Sequence, residues 1–253
     1  MRQMISHKYK CIFVHIPKTG GTSIENVLRD RTDRPVASGS CHNPITHYTE
    51  KHSEHFDRYF KFSIVRNPWD RTLSIFNYLS NGGNQSEADL NMAKEMGNDF
   101  KKFCKNILIN DHCSADLTLH LLSQYQYLNI QGVEKFDFIG RFETLEDDYK
   151  QIACKLGITT ELPHTRKTVH LPYWYYYDEE CISIVRERYS KDVAQWEYEF
   201  RRGQASRMEY YRYYLRKATS SLEKNRRHKL GASLRKKFPR LIRFMKRILR
   251  RST

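Results

Sequence analysis

The stretch His15 to Ser23, HIPKTGGTS, lies between the apolar run Ile12-Phe13-Val14 and the helix-like sequence IENVLRD. No other feature of the chain restricts its fold as much. The short apolar run reads as a buried strand, and Pro17 ends it. Gly20 and Gly21 allow a tight turn. Thr22 or Ser23 stands where a helix N-cap belongs, with Glu25 in the first turn. Strand, glycine loop and helix in this order make an anion site. The first N–H groups of the helix lack intrahelical partners, its dipole adds positive potential, and glycine lets the backbone come close. Lys18 adds a mobile positive charge, and the hydroxyls of Thr22 and Ser23 add donors.

The order of residues departs from the Walker A loop, whose lysine follows the last glycine. Here Lys18 precedes both glycines, so the reactive end of the ligand lies elsewhere. A second apolar run, KFSIVR at 61–66, is broken by Asn67-Pro68. WDRTLSIFNYLS follows it with Trp69, Leu73, Phe76 and Leu79 at helical spacing. FDFIGRF at 136–142 reads as a third strand, and ETLEDDYKQIACKLG as its helix, closed by Gly157. Strands alternating with helices predict an α/β fold, a parallel sheet flanked by helices. Residues 30–60 read as mostly loop. LTLHLLSQYQYL reads as one helix, and so does DEECISIVRERYSKDVAQWEYEF. Trp69 fits either the core or the neighbourhood of a bound base.

Arg66 ends the second strand, and Ser74 stands eight residues later in the following helix. Strand ends of a parallel sheet meet on one edge, where ligands bind. Arg66 can fork two hydrogen bonds onto a phosphate and Ser74 can add one. Two phosphate-type sites on one edge suggest a nucleotide phosphorylated at both ends of its ribose.

PKTGGTS together with VRNPWDRTLS resembles the two cofactor motifs of the sulfotransferases that use 3′-phosphoadenosine 5′-phosphosulfate (PAPS), in particular the carbohydrate sulfotransferase branch. FDFIGRFETLEDDY and the pair RKTVHLPYWYYY and ERYSKDVAQWEYEF are similar to further segments of that branch. The resemblance covers roughly residues 10–200 and implies a sheet of P-loop NTPase-like type. It implies PAPS as co-substrate, no metal, and a hydroxyl of a glycan or glycolipid as acceptor. Pro17, Lys18, Thr19, Gly20, Gly21, Thr22 and Ser23 would hold the 5′-phosphosulfate. Arg66 and Ser74 would hold the 3′-phosphate. Arg166 and Lys167 stand where many relatives have Asn before a Lys, and would add weaker cofactor contacts. The acceptor needs a base, and histidine suits neutral pH. The segment between the motifs holds His42, His47, His52 and His55. His42, in CHNPIT, best matches the family's position, with His47 second. His15 reads as a packed or hydrogen-bonded residue.

The net charge of +15 is concentrated at one end. From Lys224 to Thr253 there are 13 Lys or Arg and no Asp or Glu, leaving +2 for residues 1–223. Leu234, Phe238, Leu241, Ile242, Met245, Ile248 and Leu249 form one stripe at helical period. Such a basic amphipathic helix suits an anionic membrane surface, an acidic polymer, or docking on the body. The division expected is a catalytic domain at 1–205 and a helical tail at 206–253. The six cysteines include no CxxC pair and read as reduced thiols. No apolar run approaches a membrane span, and the first ten residues are mostly polar. Cytoplasmic placement, with the tail peripheral at the inner membrane face, is the expectation. A kinase on a similar fold would need a Walker lysine and a magnesium carboxylate. Nucleic-acid binding through the tail is the other alternative.

Overall fold

A computed structural model describes residues 4–29, 42–109, 119–129, 135–163 and 171–203. The chain divides into two compact units, one of residues 1–166 and 176–201, the other of 167–175 and 202–253. The tail of 206–253 lies outside the described residues, as do Arg166, Lys167, Cys41 and Cys113.

The larger unit is built on a sheet of four strands, β1 (Ile5–Ser6), β2 (Cys11–Val14), β3 (Phe60–Val65) and β4 (Phe138–Arg141), in that spatial order. β2 pairs parallel with β3, placing Val14 beside Ser63, and β3 pairs parallel with β4, placing Val65 beside Arg141. β1 runs antiparallel at the edge, with Ile5 opposite Ile12. The expected α/β architecture is therefore present, and β1 is an addition to it. A strand of two residues carries no readable alternation, and a turn through Lys10 at φ 49° folds it back onto β2.

The helices follow the strands. α1 (Gly21–Leu28) follows β2; α2 (Ile45–Lys51) and α3 (Ser53–Phe56) precede β3; α4 (Pro68–Ser80) follows it. Further on come α5 (Glu87–Met96), α6 (Phe100–Lys102), α7 (Gln124–Leu128), α8 (Leu145–Leu156), α9 (Glu179–Arg188) and α10 (Ser190–Gln195). Cys11, Phe13, Phe62 and Ile64 point one way from the sheet and pack with Ile24, Val27 and Leu28 of α1 and Tyr149, Ile152 and Ala153 of α8. The rings of Phe13 and Phe62 stack at 5.0 Å across the β2–β3 pair. Trp69, Leu73, Phe76 and Leu79 of α4 are all buried, as their spacing requires. α4 in turn packs against α5 and α9. Trp69 belongs to the core, its Nε1 donating to the carbonyl of Ile182 at 3.1 Å.

Four local expectations are corrected. The described part of the histidine-rich segment is helical, in α2 and α3. The stretch containing LLSQYQYL breaks at Ser123, whose hydroxyl and Gln126 form a capping box that starts α7. The long helix near the end is interrupted at Tyr189 and stops at Gln195. The N-cap of α1 is Gly20, in the left-handed region at φ 83°, and neither Thr22 nor Ser23. Gly157 closes α8 in the same conformation, at φ 67°, as read from the sequence.

Candidate active site

Parallel pairing of β2 with β3 brings the two motifs to one edge of the sheet. The first loop is held by its own backbone. Lys18 takes the left-handed conformation at φ 71°, which a non-glycine residue adopts only where its surroundings impose it. Those surroundings are specific. Thr19 is buried and its hydroxyl donates to the Ile16 carbonyl at 2.9 Å. Arg66 Nη1 donates to the Lys18 carbonyl at 2.8 Å, and Arg71 Nε donates to the Pro17 carbonyl at 3.1 Å.

The start of α1 carries no side-chain cap, and Glu25, expected in its first turn, falls beyond it because the helix starts at Gly21. The Ser23 N–H turns back to the Gly20 carbonyl at 3.1 Å. The amides of Gly21 and Thr22 thus begin the helix without a capping side chain, and Thr22 and Ser23 are half-buried beside them. Such a terminus has the donors and the potential an anion needs. Gly21 is demanded by close approach, since a Cβ there would lie 2.1 Å from the His15 ring.

His15 is buried, and its Nδ1 meets Glu25 Oε1 at 2.5 Å, while Glu25 Oε2 accepts from Arg29 at 3.1 Å. The His15 carbonyl accepts from His42 Nδ1 at 3.0 Å. A carbonyl only accepts, so Nδ1 of His42 carries the proton and Nε2 presents the lone pair. Burial, reinforced by the neighbouring His15 and by His120, holds the His42 pKa well below the ordinary histidine value. The ring is therefore neutral at pH 7, in a base-competent tautomer. His47 is elsewhere. Its ring neighbours are Tyr48 at 5.6 Å and His52 at 6.0 Å, on or beside α2. Its pKa is also lowered, by burial first and then by Lys51.

In the second loop, Asn67 caps α4 by accepting from the amides of Trp69 and Asp70, with Pro68 at the first helical position. Arg66 is buried. Its Nε and Nη2 reach the Asp70 carboxylate at 2.9 and 2.8 Å, and its guanidinium lies 4.0 Å from the Phe142 ring centroid. Ser74 is buried farther along α4.

Several residues brace these loops; the sequence alone points Gln124 and Glu143 toward the acceptor or cofactor cleft and gives Asp192 and Arg71 no role. Gln124 makes two 2.8 Å bonds with the backbone N–H and carbonyl of Arg66, mimicking one more strand at the end of β3. Asp192, fully buried, accepts from the amides of Gln124 and Tyr125 at 2.9 Å each. Burial raises the Asp192 pKa, and those two amides and Arg71 oppose the rise. Glu143 accepts from the Asn67 amide at 2.7 Å and from the Tyr198 hydroxyl at 3.2 Å. Arg71, only 1% exposed, donates to the carbonyls of Pro17, Leu122 and His120. Among the described residues, no group of three or more His, Cys, Asp or Glu is arranged to hold a metal ion.

The profile of the sulfotransferase family matches residues 1–199. The chain belongs to that family. The chain is similar to carbohydrate sulfotransferase 10 of Xenopus laevis, at 25% identity over 62% of the chain and 53% of the relative. It thus spans about half the length of that relative. It is also 28% identical to an uncharacterised protein of Archaeoglobus fulgidus, over 42% of the chain and 75% of the relative. No solved structure matches it significantly. Among the described residues, Cys11, Cys104, Cys154 and Cys181 are free thiols. Among its described residues, no helix is long and apolar enough to cross a membrane.

Proposed function

We propose that this sulfotransferase moves the sulfuryl group of PAPS onto a hydroxyl of a glycan or glycolipid, releasing adenosine 3′,5′-bisphosphate. The observation that carries the reading is the 2.8 Å hydrogen bond from Arg66 to the Lys18 carbonyl. It joins the two motifs directly, so one bisphosphorylated nucleotide can engage both loops. The carbohydrate acceptor draws its support from the name of the Xenopus relative.

Lys18 and the leading amides of α1, with Gly20, Gly21, Thr22 and Ser23, take the 5′-phosphosulfate; Pro17 and Thr19 shape the loop. Arg66 and Ser74 take the 3′-phosphate. A guanidinium has five N–H donors. Arg66 gives three of them to Asp70 and Lys18, which leaves two for a phosphate. Arg166 and Lys167, outside the described residues, are further candidates by the same resemblance. PAPS brings the activated sulfuryl group. His42 Nε2 takes the proton of the acceptor hydroxyl as that oxygen bonds to sulfur, and Lys18 stabilises the charge on the oxygen that departs. His47 is the second candidate base.

The test is transfer of radiolabelled sulfate from PAPS onto an array of glycans, glycolipids and phenols. Glycan or glycolipid products support the reading; products confined to phenols, or none at all, reject it. On a responding acceptor, the rate measured from about pH 5 to pH 8 should hold below 6.5, since the His42 pKa lies well under that value. A rate that fell at the ordinary histidine pKa would assign the proton to another group.

The domain assignment of 1–205 with a basic tail of 206–253 belongs to the same proposal. So does cytoplasmic action, with the tail holding the enzyme to acceptors at the inner face of a membrane. The full chain should float with anionic liposomes and a version lacking residues 224–253 should not. Equal flotation of the two excludes the tail as the anchor.

A further inference from the structure

A line of rings connects the lysine of the first loop to the candidate base. The Lys18 ammonium lies over the Tyr78 ring, 4.6 Å from its centroid. Tyr78 stacks on His120, with centroids 5.1 Å apart and planes inclined by 14°. His120 meets His42 edge-on at 5.5 Å. An aromatic face attracts a cation through its quadrupole. Stacked and edge-to-face pairs have preferred separations. Each contact therefore restricts the next.

His120 is also fixed through its backbone. It lies in a short helical piece at 119–121, and four successive carbonyls there accept from side chains. Leu119 accepts from the Tyr127 hydroxyl at 2.6 Å and His120 from Arg71 Nη2 at 3.0 Å. Leu121 accepts from the Tyr189 hydroxyl at 3.2 Å and Leu122 from Arg71 Nη1 at 2.9 Å. Carbonyls at a helix end more often go to water or to a backbone cap. The third Arg71 donor, Nε, holds Pro17, one residue before Lys18. One guanidinium thus ties the segment that carries His120 to the loop that carries Lys18. Tyr78 and His120 themselves are half-buried.

We propose that Tyr78 and His120 are positioning residues whose stacked rings set Lys18 and His42 at a fixed spacing and orientation. Departure of the nucleotide and deprotonation of the acceptor are then geometrically coupled. The proposal rests on the donor and base roles given above. Neither ring touches the reacting atoms in this account; both act through the residues they hold.

Protein labelled with 15N in its histidines and titrated with adenosine 3′,5′-bisphosphate tests the coupling. In the wild type and in Tyr78→Phe, which keeps the ring, the His42 ring nitrogens should shift as the nucleotide saturates. In Tyr78→Leu, which keeps apolar bulk, and in His120→Ala, most of that shift should vanish although the nucleotide still saturates the protein. His120→Phe restores a stacked ring and should restore the shift. Urea unfolding midpoints of the variants close to that of the wild type exclude a merely destabilised fold. A full His42 shift in Tyr78→Leu or His120→Ala overturns the proposal. A wild type that binds the nucleotide without moving His42 overturns it alone. A wild type that fails to bind overturns the donor assignment and this proposal together.

Discussion

Lys18→Ala should lower turnover by about two to three orders of magnitude, the usual loss when a donor to developing charge is removed, while adenosine 3′,5′-bisphosphate still binds. Two kinds of contact differ in when they act. Arg66, Ser74 and the amides of α1 meet charges that substrate and product nucleotide both carry, so they contribute equally before and after transfer. The ammonium faces charge that grows only as the sulfur–oxygen bond breaks. The backbone also makes alanine an informative choice. Lys18 already sits at φ 71°, and alanine keeps the same β-carbon and the same conformational constraint. Only the ammonium and its stem are lost, including the contact with Tyr78. Single-turnover kinetics beside calorimetric titration with the product nucleotide would check both halves. Full activity contradicts the role assigned to Lys18, whereas some loss of product binding is expected because the oxygen it faces keeps its charge in the product.

Arg71→Ala should destabilise the fold by about 3–5 kcal/mol, the range for breaking a buried, hydrogen-bonded charge site. Arg71 is almost inaccessible, and its donors go to carbonyls of three separate residues. Removing it strands the carbonyls of Pro17, His120 and Leu122 in the interior, each at a cost of about 1–3 kcal/mol. Relief from desolvating the guanidinium offsets part of that cost, which keeps the net below the simple total. Lysine cannot substitute well, because its three donors radiate from one nitrogen and cannot span acceptors that face three different guanidinium nitrogens. Equilibrium urea unfolding of the larger unit measures the effect. A loss under about 1 kcal/mol, the level of an ordinary surface contact, would mean that Arg71 does not clamp the loops together.

Legibility in the sequence followed the range of the interaction. β2, the glycine loop and α1 were readable because apolar runs, Pro17 and the two glycines act within a few residues. α4 was readable from the Asn67-Pro68 start and the spacing of four buried side chains. α2 and α3 were not, because His47, His52 and His55 carry no apolar periodicity, and only Ile45, Tyr48 and Phe56 anchor the helices. The N-cap was misplaced because Thr22 and Ser23 have the favoured chemistry, whereas the left-handed turn required glycine one step earlier. The bracing contacts could not be read, although Gln124 and Glu143 were candidates for the acceptor or cofactor cleft. Arg71 contacts residues about fifty positions away, and Gln124 meets Arg66 at a similar distance along the chain. His120 offered one hint, as the only imidazole within the apolar stretch LTLHLL, but a lone histidine there reads first as a packing residue.

A crystal structure of the chain with adenosine 3′,5′-bisphosphate would bear most directly on the whole account. The expected result is a single nucleotide across the edge formed by β2 and β3, its 5′-phosphate on the amides of Gly20 to Thr22 beside Lys18 and its 3′-phosphate on Arg66 and Ser74. A nucleotide bound at another place, or one held by only one of the two loops, would contradict it.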